Sequence, residues 1–252
     1  MLTARWRPYA YHIALALYLP CLLVADTLVA NPRQQLALGG LTTLFLLVAT
    51  RSSPRDERLL VWLAVGFWGA IEIFASRVWG IYSYRFGNVP LFVPFGHGAI
   101  YLFGLRTLRT PLALNRPEFL KRLALSVATI WALAGLSIIP ALTGRWDVAG
   151  ASLLPVLAYG LRRSRSATFY ASVFFATCVL ELLGTALGSW TWAATQPVTH
   201  LPSGNPPAVV AAAYCLFDFL LLRAAVRVGI RRPQPAAATD AHSKTSTGVA
   251  FS

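Results

Sequence analysis

Four carboxylates stand in or at the edge of long apolar runs: Asp26, Glu72, Glu181 and Asp218. Holding a charged acid near the centre of an apolar helix costs about 2.5–3.5 kcal/mol on insertion scales, so several retained acids point to a use. A buried carboxyl group that keeps its proton is a general acid, and Asp218, deep in YCLFDFLLL, has the most apolar surroundings of the four. Asp26 lies close enough to the end of its run to be simply hydrated.

Glu72 and Glu181 stand in stretches that match each other. The first, EIFASRVWGIYSYRFGNVP, runs from Glu72 to Pro90. The second, ELLGTALGSWTW, runs from Glu181 to Trp192 and is followed after a gap by Asn205-Pro206-Pro207. Each has a Glu near the end of an apolar run, then a glycine, two aromatics spaced by one residue, and an Asn-(x)-Pro opening the next run. Gly80, Tyr82 and Tyr84 align with Gly188, Trp190 and Trp192 at one common offset. Alternating aromatics predict short extended segments with both rings on one side. The offset between Asn88 and Asn205 also places His97 against Tyr214, and Tyr101 against Asp218.

These residues divide by type. Glu72, Glu181 and Asp218 are the catalytic candidates, as acid or base. Tyr82, Tyr84, Asn88, His97, Trp190, Trp192, Asn205 and Tyr214 are the substrate-binding candidates, the rings by stacking on a lipid or a cation. The aromatics, with Trp79, also suit the belt at a membrane interface. Arg77 pairs with an acid or snorkels outward. Gly184 and Gly188 form a small-xxx-small pattern suited to close helix packing.

Composition says what must position them. The 252 residues are 56% hydrophobic and 12% charged, with a mean hydropathy of +0.58. A soluble domain carries about twice that charged fraction, which excludes a soluble enzyme, a secreted disulfide scaffold and a disordered chain. Eight apolar runs are candidate spans: 9–30, 35–50, 59–78, 89–105, 123–142, 148–160, 168–187 and 208–228. The expected fold is all-α, a polytopic membrane helix bundle of about eight transmembrane helices forming two parallel four-helix repeats. Residues 1–116 form the first repeat, 117–230 the second, and 231–252 a disordered cytoplasmic tail.

The net charge of +13 follows topology and not nucleic acid. Of the 22 Lys and Arg, only Arg33, Arg77, Arg85 and Arg145 fall on one side of the eight-span arrangement. The other side therefore faces the cytoplasm and holds both termini, and membrane lipids are the expected partners in a multi-pass protein of the cell (inner or plasma) membrane. Cys21, Cys178 and Cys215 sit in apolar runs without metal or redox spacing, no H-x3-H, HExxH or DDxxD occurs, and no P-loop, GxGxxG or GxSxG is present. Neither a metal nor a cofactor is expected.

GIYSY (Gly80–Tyr84) followed by VPLFVP (Val89–Pro94), downstream of Glu72, resembles the G-x-Y-x-Y…VPLxVP pattern of the integral-membrane carotenoid biosynthesis family, which contains the carotenoid C=C hydratases. The likeness covers about 30 residues of the first half. The second half departs from it, with Trp for both tyrosines and GNPP for VPLxVP. The whole chain also resembles multi-span membrane proteins of high-GC actinobacteria. The resemblance implies a polyisoprenoid substrate, with Glu72, Tyr82 and Tyr84 as the matching positions. Three functions are open at this point: acid-catalysed C=C protonation of an isoprenoid or carotenoid-like lipid (hydration or cyclisation), proton-coupled carriage of a lipid or small solute, and structural assembly in the membrane.

Overall fold

The computed structural model describes residues 6–231, and the predicted tail lies outside the described residues apart from Arg231. The chain is mostly helical: α1 Ala10–Leu28, α2 Pro32–Thr50, α3 Arg55–Ile73, α4 Phe92–Thr107, α5 Pro111–Asn115, α6 Pro117–Gly135, α7 Ile138–Thr143, α8 Val148–Ala151, α9 Leu154–Arg163, α10 Ala167–Ala186 and α11 Ala211–Arg227. Two three-residue strands complete it, β1 Tyr82–Tyr84 and β2 Trp190–Trp192, paired antiparallel. The helix α4 packs against α2, α3 and α10, and its stretch from Gly96 to Leu102 is buried throughout.

Among the described residues, three helices are long and apolar enough to cross a membrane: Arg7–Leu28, Arg55–Trp79 and Ala167–Ala186. They coincide with the first, third and seventh expected spans, which include the two that carry Glu72 and Glu181. Four of the five remaining expected spans fall short for identifiable reasons. At 16 and 17 residues, α4 and α11 rise about 24–26 Å, under the ~30 Å of a bilayer core. The helix α6 opens on Glu118, Lys121 and Arg122. The sixth expected span is broken into α8 and α9, with Pro155 in the first turn of α9.

The helices that end near Glu72 and Glu181 stop in the same way. A π-helical turn, Phe74–Trp79, extends α3 and ends at Gly80 with φ +75°; α10 ends two residues before Gly188, with φ +73°. A left-handed φ costs a residue with a Cβ about 1–2 kcal/mol, so glycine at both points turns the chain from helix into strand. Gly188 thus serves the turn and not the helix packing expected of it.

Buried polar groups tie the loops to this frame. Asp26 is fully buried and not hydrated as expected: its carboxylate accepts from Gln35 Nε2 at 2.7 Å and Ser189 Oγ at 2.8 Å. Arg85 donates to the carbonyls of Asp26 and Val29. Asp147 caps α8 through the Gly150 N–H and also accepts from the N–H groups of Gly204 and Ala208, fixing the segment before α11. Arg145 binds the carbonyls of Trp192 and Ser203, each at 3.0 Å. Removing Asp147 orphans three backbone donors, each worth about 1–3 kcal/mol when buried unpaired. Asp147→Ala is expected to lower stability by about 2–4 kcal/mol; a melting curve in detergent identical to wild type would refute this role.

Candidate active site

The rings of β1 and β2 lie on one face of the two-stranded sheet, where Tyr82 opposes Trp192, Ser83 opposes Thr191, and Tyr84 opposes Trp190. The central pair points to the exposed side and the four rings are buried. Beneath them stand the two glutamates, one from each long helix.

Each glutamate is held by three ring-bearing partners in the same division of labour. The hydroxyls of Tyr82 and Tyr84 both donate to Glu72 Oε2, while His97 Nε2 of α4 lies 2.7 Å from Oε1. The indoles of Trp190 and Trp192 donate to Glu181 Oε2 at 2.9 and 3.0 Å, while Tyr214 of α11 donates to Oε1 at 3.0 Å. Strand rings therefore take one oxygen, and the ring from the next long helix takes the other. Glu72 and Glu181 are 3% and 2% exposed, a degree of burial that a carboxylate tolerates only with such partners. Burial, and after it the Glu72 carboxylate, push both tyrosine hydroxyls up from the ordinary tyrosine value, so they remain protonated donors at neutral pH.

Both triads line one cavity of about 40 Å³, room for a few waters or the tip of a larger molecule. Its remaining walls are apolar, from Leu19, Leu22 and Leu23 of α1, Phe92 and Val93 of α4, and Leu180 of α10. The two sequence motifs thus meet in a single chamber instead of forming two sites. Of the candidates, Glu72, Glu181, Tyr82, Tyr84, His97, Trp190, Trp192 and Tyr214 are all in its wall.

Three candidates are not. Asp218 accepts from Trp68 Nε1 at 3.1 Å and stands behind the chamber. Asn88 donates to Gln35 Oε1 at 3.0 Å and lines a separate groove. Asn205 accepts the Trp192 N–H at 2.9 Å, which anchors β2. Both asparagines hold the loops that carry the rings, which is why each follows its aromatic pair. Arg77, expected to pair with an acid or snorkel, donates to the Gly87 carbonyl. Gly184 does not serve packing between helices: the Trp190 ring lies against it.

Trp68 is the residue that sequence reasoning missed. It stacks on His97 and on Tyr214, with centroids 4.6 Å away in each case, while bonding Asp218. One ring therefore backs the helix donor of both triads. Its position one turn before Glu72, on the same helix face, was the available signal. Among the described residues, no cluster of three or more His, Cys, Asp or Glu is placed to hold a metal ion. No family model, no curated protein and no solved structure matches this chain.

Proposed function

We propose that this is a multi-pass protein of the cell membrane with both termini cytoplasmic, built from two parallel repeats, and that the chamber protonates a C=C bond of an isoprenoid or carotenoid-like lipid. The observation that carries the reading is the pair of buried, ring-held carboxylates facing one small apolar-walled chamber. The motif likeness at Gly80–Pro94 supplies the substrate class.

The two triads differ in one chemically important place. Glu72 is paired with an imidazole, whose two ring nitrogens can relay a proton, whereas Glu181 is paired with the phenol of Tyr214. Glu72 is accordingly the acid. In the reacting form the proton shared by His97 Nε2 and Glu72 Oε1 rests on Glu72, with the neutral imidazole accepting. That O–H bond breaks, the alkene electron pair forms a C–H bond, and a tertiary carbocation remains. The indoles of Trp190 and Trp192 and the Glu181 carboxylate stabilise that cation. Water captures the cation, and the extra proton of the resulting oxonium passes to Glu181. In the cyclising variant, an internal alkene captures the cation and the ring cation that results loses a C–H proton to Glu181. In both cases Glu72 is re-protonated through His97 before the next turnover.

Comparative lipid and pigment profiling tests this in a host supplied with isoprenoid precursors, with expression levels matched. Wild type is expected to create or consume an isoprenoid species. Glu72→Gln is expected to abolish that change, with a loss of about 10²–10⁴-fold, the range of a general acid. Asp218→Asn, behind the chamber, should reduce it far less. Profiles identical in wild type, Glu72→Gln and Glu181→Gln would overturn the enzymatic reading and leave a carrier as its successor.

A further inference from the structure

We propose that the chamber is entered sideways from the bilayer, through an apolar groove between α1 and α10 that holds the hydrocarbon chain of a polyisoprenoid. This deepens the reading above and rests on it. The groove has a volume of about 230 Å³, with walls from Ala16 and Pro20 of α1, Phe103 of α4, and Phe175 and Val179 of α10. Leu19 and Leu180 line both this groove and the chamber. The two spaces are thus separated by a pair of half-buried leucines, one from each helix.

The local sequence suits an opening here. Pro20 lies inside α1 and has no N–H to give the carbonyl of Ala16, so one rung of the helix ladder is missing at the groove wall. The methyl side chain of Ala16 leaves the wall open where a larger residue would close it. On either side the same two helices present exposed apolar residues, Leu17 at 65% and Val179 at 56%, suited to acyl chains.

The lining also selects the occupant. None of the residues around the groove is charged, so nothing there holds a phosphate headgroup. The chamber at its end has room only for the tip of a chain. An uncharged hydrocarbon with a reactive double bond at its end satisfies both. Leu19 and Leu180 form the gate it must pass.

The test uses the full chain in nanodiscs and geranylgeraniol carrying a diazirine as photoprobe, with adducts mapped by peptide mass spectrometry. A diazirine-bearing phosphatidylcholine serves as the comparison. Geranylgeraniol adducts are expected on the α1 and α10 segments that line the groove, with loss of those adducts in Ala16→Trp. Leu133→Trp, on the exposed side of α6, should label as wild type does. Ala176→Trp on the opposite wall repeats the block, and size-exclusion and melting profiles establish that each variant is folded. Undiminished labelling in both blocked variants would overturn the proposal, as would equal labelling by phosphatidylcholine. The two readings fail separately. Groove labelling without any Glu72-dependent lipid change removes the chemistry and keeps the groove. A Glu72-dependent change that persists in both blocked variants keeps the chemistry and removes the groove.

Discussion

Glu72→Leu is expected to lower the stability of the folded chain by about 3–5 kcal/mol, more than any single substitution among its donors. The carboxylate accepts from Tyr82, Tyr84 and His97, and all three side chains are 9% exposed or less. Leucine fills similar space but leaves two hydroxyls and an imidazole without their acceptor, each costing about 1–3 kcal/mol. Tyr82→Phe removes one donor and leaves Glu72 with two, so its cost should be nearer 1–2 kcal/mol. The couplings separate the contributions: Glu72→Leu combined with Tyr82→Phe and Tyr84→Phe should be less destabilised than the single costs added, because the orphaned hydroxyls are gone. Reversible unfolding in detergent measures this. A Glu72→Leu chain as stable as wild type would mean that the triad does not hold the hairpin, and the chamber would lose its rigid roof.

The same triad marks how far the sequence could be read. The pairing of Glu72 with Tyr82 and Tyr84, and of Glu181 with Trp190 and Trp192, is local: a helix end, a glycine and a two-residue alternation bring each acid under its own rings. His97 and Tyr214 followed from the common offset of the asparagines, because each stands nine residues after its own asparagine, although α4 begins four residues after Asn88 and α11 six after Asn205. What spacing could not reveal was that the two motifs share one chamber. That depends on β1 meeting β2 in antiparallel register across more than a hundred residues of chain, and no local pattern encodes a long-range partner.

Asp218 and Asp26 were misplaced for a different reason. Hydropathy gives depth along a helix but not direction around it, so the deepest acid was assigned to the site when its partner is Trp68. Asp26 was expected in water because it is near a helix end; the β2 loop folds over it and supplies Ser189. The eight expected spans came from apolar runs alone. Of these, only three meet both length and apolarity as helices, and proline, charge or short length interrupts four of the others.

Gly184 offers the most direct test of how the aromatic roof is seated. A glycine-to-alanine change inside a helix ordinarily stabilises by about 0.5–1 kcal/mol, since alanine loses less backbone entropy on folding. At Gly184, a Cβ would lie 1.9 Å from Cη2 of Trp190, with two more ring atoms within 2.4 Å. The indole cannot stay. Displacing it breaks its 2.9 Å bond to Glu181 and pulls on the β2 strand that pairs with β1. Overpacking of about 1–3 kcal/mol together with a lost buried hydrogen bond outweighs the helix gain, giving a net loss of about 2–4 kcal/mol. Gly66→Ala, in α3 with nothing within 4 Å of the new methyl, should instead be neutral or slightly stabilising. Trp190→Leu in the Gly184→Ala background should recover part of the loss by returning the space, although Glu181 then keeps only Trp192 and Tyr214. If Gly184→Ala melts with Gly66→Ala, the Trp190 ring does not lie on that helix face, and Glu181 has no fixed cover. If it falls and Trp190→Leu partly restores it, the glycine is explained by the ring above it, and the roof of the chamber is set by packing on α10 as much as by the carboxylates beneath.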